Sequence, residues 1–184
     1  MKMNKTHTFK LDRQNDAAQN GFTLIELIIV IVIIGILAAV AAPRFIDLSG
    51  EANLSVLKSM GSSIKSASQL VYAKSAIQGQ LNEEEGEVDL NGDGTPDIDT
   101  RYGYPSGSRG NGISKAMSDS FASEWIWSTN NNETIFYVTM ASFTWTSGEY
   151  INQVPIVATN CYLIYNPASN AGDLPTIDYI TTGC

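Results

Sequence analysis

Six oxygen-bearing residues stand at alternate positions in Asp89-Leu-Asn91-Gly-Asp93-Gly94-Thr95-Pro-Asp97-Ile-Asp99. Oxygens at every second position, with Gly after the third, match the first half of a helix–loop–helix calcium loop. Calcium takes roughly six to eight oxygens at about 2.3–2.6 Å, and Gly94 permits the sharp turn around it. Asp89, Asn91 and Asp93 are the expected first ligands, completed by the Thr95 carbonyl and Asp97 or Asp99. The last position of that pattern is Thr100 instead of a bidentate Glu, and no helix signal follows. A series of Asn-Gly and Asp-Gly turns that needs no metal explains the same residues. An ion held here would be structural, because nothing nearby can exploit a bound water.

Other chemistry is thinly supplied. The one histidine, His7, precedes the apolar run described below, so histidine-based acid, base or zinc chemistry is absent from the rest of the chain. No nucleophile elbow, phosphate loop or dinucleotide fingerprint appears, and the chain is not expected to be an enzyme. Cys161 and Cys184 are the only cysteines. Outside the cytoplasm such a pair reads as a disulfide, whereas a metal pair lacks a histidine or third thiol to complete it. Trp125, Trp127 and Trp145 could stack on sugar rings, although aromatics in a small domain usually build core. Asn132-Glu-Thr134 matches a glycosylation acceptor and equally a polar turn.

The strongest single signal is the run from Gly21 to Ala42, GFTLIELIIVIVIIGILAAVAA, with Glu26 as its only charge. About 20 helical residues cross a hydrocarbon core of roughly 30 Å, and Phe22 to Ala42 supplies 21. A carboxylate in that medium costs roughly 2.5–3.5 kcal/mol at a helix centre and less near an end. The preceding segment carries Lys2, Lys5, Lys10 and Arg13 against Asp12 and Asp16. Positive charge there holds the N-terminal side in the cytoplasm and sends the bulk of the chain outward. A cut after Gly21 would give Phe22 a free amine, cationic or partly so near neutral pH. Glu26 could pair with that amine, about one turn away in its own helix or supplied by a lengthwise-shifted neighbour.

The stretch G-F-T-L-I-E-L followed by I-I-G-I-L-A-A-V-A-A-P-R-F resembles the processing site and helix of a type IV pilin, without a gap from Gly21 to Phe45. Looser similarity covers Asp47 to Gly79, the DLNGDGTPD loop, the following YGYP and the terminal TTGC. These features most resemble the mannose-sensitive haemagglutinin class. The resemblance implies cleavage by a prepilin peptidase between Gly21 and Phe22, N-methylation of Phe22, and a role for Glu26 in subunit recruitment. It implies a subunit held in the inner membrane, loaded by an assembly platform there, and polymerised with identical or related pilins into an extracellular filament for attachment. Host or surface ligands stay unnamed. The leader of 21 residues is longer than most type IVa pilins carry.

The elements that must position these residues divide into 1–21 as leader, 22–42 as membrane or filament-core helix, 43–79 as its amphipathic continuation and 80–184 as head. Phe45, Leu48, Ala52, Val56, Met60, Ile64, Ala67 and Val71 recur at steps of three and four, the stripe of a helix covered on one side. Pro43 lacks an N–H and Gly35 weakens the helix, so the pair is expected to kink it. In the pilin resemblance this region bends or melts on packing. Gly79 is the expected stop. Leu81 to Gly112 reads as loop, with Glu83, Glu84, Glu85 and Glu87 as a solvated acidic run. Ile113, Met117, Phe121 and Trp125 read as a short amphipathic helix capped by Asn111 or Ser114. Thr134–Met140, Tyr162–Tyr165 and Ile177–Ile180 read as strands, with Phe143–Trp145 as a further candidate. The class is α+β: a long N-terminal helix against an antiparallel sheet of three or four strands.

The segment after Gly21 has seven Lys and Arg against seventeen Asp and Glu, a net charge of −10. That balance gives no electrostatic reason to bind nucleic acid, whose affinity rests on basic residues, and none is expected. It suits a solvated exterior. Alternatives to the pilin reading are a pseudopilin of a secretion system, a membrane-anchored carbohydrate-binding adhesin, and a secreted protein cut near Ala42.

Overall fold

A computed structural model describes residues 22–118, 120–143, 148–150 and 152–184, with the side chains of 44–47 excepted. The leader with Gly21 and His7, and Trp145, lie outside the described residues, as does the side chain of Phe45. Contacts divide the chain into residues 1–44 and residues 45–184. Helix α1, Leu24–Ile77, contributes to both. Its backbone is helical through Gly35 and Pro43, so neither residue ends it, although Pro43 brings no N–H to the ladder.

In the second unit α1 buries Leu57, Met60, Ile64, Ser68, Val71 and Ser75. The expected stripe holds from Met60 onward. Its first part does not, since Leu48 and Val56 are exposed by about half and Ala52 is also exposed. Leu57, one position from Val56, turns inward instead. The helix stops as expected: Gly79 has φ 75°, the Gly79 N–H donates to the Ala76 carbonyl (3.3 Å) and the Gln80 N–H to that of Ser75 (2.9 Å). That bond pair is the Schellman closure, which requires a left-handed residue.

Five strands form the larger sheet of this unit: β4 Trp125–Thr129, β5 Phe136–Met140, β6 Gly148–Glu149, β7 Tyr162–Asn166 and β8 Thr176–Ile180. Their order is β6-β4-β5-β7-β8, antiparallel except for the short parallel pairing of β6 with β4. Alternation sorts the side chains. Phe136, Val138 and Met140 of β5, with Cys161, Leu163 and Tyr165, meet Leu57, Met60 and Ile64 in the main core. Burying each large apolar side chain contributes about 1.5–3 kcal/mol. Ile126 and Tyr162 face the other way, under Ile156 of helix α3, Val154–Ala158. The sheet is therefore apolar on both faces.

Residues 81–112 are not all loop. β1 Gly86–Val88, β2 Ile98–Arg101 and β3 Tyr104–Pro105 form an antiparallel three-stranded sheet. Val88 and Ile98 pack on Val71 of α1, while Glu87 and Arg101 face outward, a period of two that the dense Gly and Asp residues obscure. Two hydrogen bonds tie this sheet in. The Ser75 hydroxyl donates to the Gly103 carbonyl (2.8 Å), and the Tyr165 hydroxyl to that of Pro105 (2.8 Å). Burial pushes the Tyr165 phenol far above its usual range.

The helix expected over Ile113 to Trp125 is also replaced. A 3-10 turn, Ile113–Ala116, ends at Met117 in extended backbone, helix α2 covers Phe121–Glu124, and Trp125 begins β4. Neither Asn111 nor Ser114 caps a helix; Gly112 and Ser120 hold those places without side-chain bonds. Trp-Ile-Trp favours a strand, and this preference outweighs the four-residue spacing. Phe143 closes a 3-10 turn, Ala141–Phe143, instead of opening a strand.

Candidate functional site

Thr23 and Glu26 build the start of α1 reciprocally. The Thr23 N–H and hydroxyl both donate to Glu26 Oε2 (2.9 and 2.8 Å), and the Glu26 N–H donates to Thr23 Oγ1 (3.3 Å). This is a capping box, which satisfies amide groups that the first helical turn leaves without partners. The carboxylate also lies at the positive end of the helix dipole. Thr-x-x-Glu spells the box in the sequence, inside a run that is otherwise apolar. Phe22 beside it is 80% exposed.

Behind the cap, no described residue covers the apolar side chains. Leu24 to Val40 are all exposed, Val40 by 70%. α1 is one helix long and apolar enough to cross a membrane by length and composition. An apolar surface of this extent requires lipid or other helices to cover it.

The acidic loop connects β1 to β2. Asp89 accepts the Gly92 and Gly94 N–H groups (2.6 and 2.8 Å), Asp97 accepts those of Leu90 and Asn91 (2.8 and 3.2 Å), and Asp93 accepts that of Thr95 (2.8 Å). Gly92 and Gly94 have φ of 85° and 87°, the conformation that glycine adopts without strain. Gln78, just past the end of α1, clamps the loop with its amide. Nε2 donates to the Asp89 carbonyl (2.7 Å) and Oε1 accepts the Asp89 N–H (3.0 Å).

The calcium reading meets a mixed donor set. Asp93 Oδ2 and Asp97 Oδ1 converge on one atom, Asn91 Nδ2, at 3.2 and 3.3 Å. A donor thus fills the place between the two carboxylates, and an ion there would need the Asn91 amide turned about. Asp99 is elsewhere: it lies on β2 and accepts the Ser108 hydroxyl (2.8 Å). Thr95 contributes its N–H to Asp93. Among the described residues no three acidic, histidine or cysteine side chains stand grouped to hold a metal.

Backbone bonds from Gly94 and then Gly92 hold the Asp89 carboxyl below its usual pKa, with Lys74 adding to the effect. A carboxyl lowered on folding contributes stability above its unfolded pKa, and that contribution is lost as pH falls through the folded value. Acidification below about pH 4 is therefore expected to lower the protection of the Gly92 and Gly94 amides relative to their intrinsic exchange rates. Asp89→Asn should remove that pH step, as hydrogen exchange followed across pH would report.

At the far end, Cys161 and Cys184 are bonded, with Cα atoms 4.8 Å apart. The Gly183 N–H donates to the Asn160 carbonyl (2.8 Å), and the Asn53 amide of α1 donates to the Cys184 carbonyl (3.0 Å). A side chain at Gly183 would collide with the Thr159 carbonyl. Trp125 is buried and Trp127 half-buried against Phe121 (4.9 Å between rings), so both serve the core and not a sugar platform. Asn132 is exposed at the β4–β5 turn, where Asn130 Oδ1 accepts the Thr134 and Ile135 N–H groups (2.7 and 3.0 Å).

Residues 16–42 match the family described as the prokaryotic N-terminal methylation motif. The chain is 38% identical over 99 residues to the type IV narrow pilus major component PilA5 of Thermus thermophilus, covering 54% of this chain and 71% of that one. It is 48% identical over 52 residues to a fimbrial protein of Pseudomonas aeruginosa, covering 28% of this chain and 34% of that protein. Against the type IV major pilin protein PilE of Neisseria gonorrhoeae it is 48% identical over 59 residues, 32% of this chain and 35% of PilE. No solved structure matches the chain.

Proposed function

The chain belongs to the type IV pilins, and from that membership we propose the working life of one structural subunit. Prepilin peptidase cuts between Gly21 and Phe22, and the new Phe22 amine is methylated. The subunit waits in the inner membrane with its N-terminal side in the cytoplasm, until the assembly platform draws it into the filament base. There Glu26 leaves Thr23 for the Phe22 amine of a neighbour, an exchange that an apolar medium favours only when the partners meet. The filament then stands outside the cell and serves attachment.

The observation that carries this reading is the uncovered apolar helix behind a charged cap, Thr23 to Val40, in a chain whose second unit closes its own core around Leu57 to Val71. Packing of many such helices would give each the cover it lacks. Gly35 and Pro43 mark the stretch where the ladder is weakest, and local melting there would let neighbours fit. Mass spectrometry of the N-terminal peptide from native membranes tests the reading. A start at Phe22 with one added methyl supports it; a start near Ala42 overturns it.

Structural calcium in the loop from Asp89 to Asp97 belongs to the same proposal, with Asn91 turned so that its oxygen joins Asp93 and Asp97. Bound ion would stabilise the folded state by linkage, about 2.7 kcal/mol at a hundredfold excess over Kd. Chelator should then lower the melting temperature of the protein, and Asp93→Ala should abolish the difference. An identical melting temperature with calcium and with chelator would leave the loop as a metal-free turn series.

A further inference from the structure

Cations are scarce in this chain, and the two described arginine side chains are paired. Arg101 pairs with Glu84 (2.6 Å), and Arg109 lies 3.2 Å from Glu149 and 3.9 Å from Glu133. Lys58 and Lys65 differ. Both are exposed, and among the described residues neither has an ion-pair partner. They are seven residues apart on α1, about two turns, and so share one flank.

Between them Gly61 and Ser62 leave the flank low, and the Tyr179 hydroxyl lies directly against Gly61. Here α1 and the edge strand β8 enclose an open groove of about 490 Å³, lined by Ser62, Lys65, Gln69, Tyr104, Leu174 and Tyr179. Leu174 on its wall is 72% exposed. The groove thus combines an apolar wall with Lys65 in its lining, and Lys58 stands two turns along the same flank of α1.

The opposite charge stands on a different surface. Glu83, Glu84, Glu85 and Glu87 are exposed and line a separate cleft that Asp99 and Glu133 make more acidic. We propose that the groove beside Lys58 and Lys65 in one subunit receives the Glu83–Glu87 lip of a second copy of this chain. The proposal rests on the pilin reading. Two different complementary patches on one molecule make a heterologous contact, and such contacts propagate into open helical filaments when the rotation does not close. Subunits of net charge −10 repel one another, so a contact must set the few uncommitted cations against acid. Complementary charge fixes register and rejects wrong arrangements more than it adds raw affinity.

Filaments sheared from cells carrying the full-length chain give the test. Lys58→Glu with Lys65→Glu is expected to cut filament yield at least about tenfold, because reversal sets acid against acid. Glu83→Lys with Glu85→Lys should do the same, and the four changes together should restore most of the yield. Lys115→Glu, an exposed lysine away from the groove, should leave filaments intact, and melting temperatures should stay unchanged throughout. Normal yield from the lysine reversal, equal loss from Lys115→Glu, or failure of the combined reversal to restore filaments each overturns the contact. Absence of filaments from the unsubstituted chain would instead overturn the pilin reading, and this inference with it.

Discussion

Glu26→Ala is expected to leave the protein at normal abundance in the membrane while reducing filaments by orders of magnitude. The carboxylate is given two jobs, and a paired substitution separates them. As the second half of a capping box it accepts the Thr23 N–H and hydroxyl, a role that glutamine also fills. As the partner of a neighbour's amine it must carry charge. Glu26→Gln therefore keeps the cap and removes the pairing. If charge pairing recruits subunits, alanine and glutamine abolish filaments alike. Normal filaments from Glu26→Gln would assign Glu26 to the cap alone. Loss of the cap itself costs only about 0.5–2 kcal/mol, small for a helix held by lipid, so abundance should not fall in either variant. Quantitative blotting of membranes and of sheared filaments reads both quantities.

The second large effect is on stability. Cys161→Ser with Cys184→Ser opens a bridge that spans 23 positions, for which chain entropy gives about 3.5 kcal/mol. Removing such a bond from a small secreted domain typically costs about 2–5 kcal/mol. For a domain of this size that should lower Tm by roughly 5–20 °C. The loss is not confined to the unfolded chain, because the bridge holds Cys184 where Asn53 reaches its carbonyl. Asn53→Ala alone should cost about 1 kcal/mol. Calorimetry of the two variants and the parent in detergent would compare them, and a double-cysteine variant that melts within about 2 °C of the parent would contradict the expectation.

Legibility in the sequence followed the range of the forces involved. The long helix, its stop at Gly79 and the strands β5, β7 and β8 were plain, because each is set by local periodicity or by a single backbone demand. The cysteine pair was plain from compartment and scarcity. What stayed hidden depended on tertiary partners. The small sheet of β1 to β3 exists because Val88 and Ile98 find Val71, and strands of two to four residues carry too little pattern to announce themselves. Trp125 looked helical by spacing with Ile113, Met117 and Phe121, yet it opens a strand that β5 pairs along its whole length. The inward turn of Leu57 in place of Val56 is a shift of one residue, about 100° of helix, which a stripe drawn at steps of three and four does not resolve. At the acidic loop the residues were visible and their use was not. Most of their oxygens serve the loop's own amides, and Asp99 serves Ser108.

The bridge has a mechanical meaning as well. β7 and β8 pair over five residues each, joined at one end by residues 167–175 and at the other by Cys161–Cys184. The hairpin is therefore a covalent ring. An edge strand under tension ordinarily peels away one bond at a time from its loose end, which needs far less force than shearing all its bonds at once. Residues 161–184 offer no loose end. Under pull, the outer edge of this sheet must give way as a whole or hold.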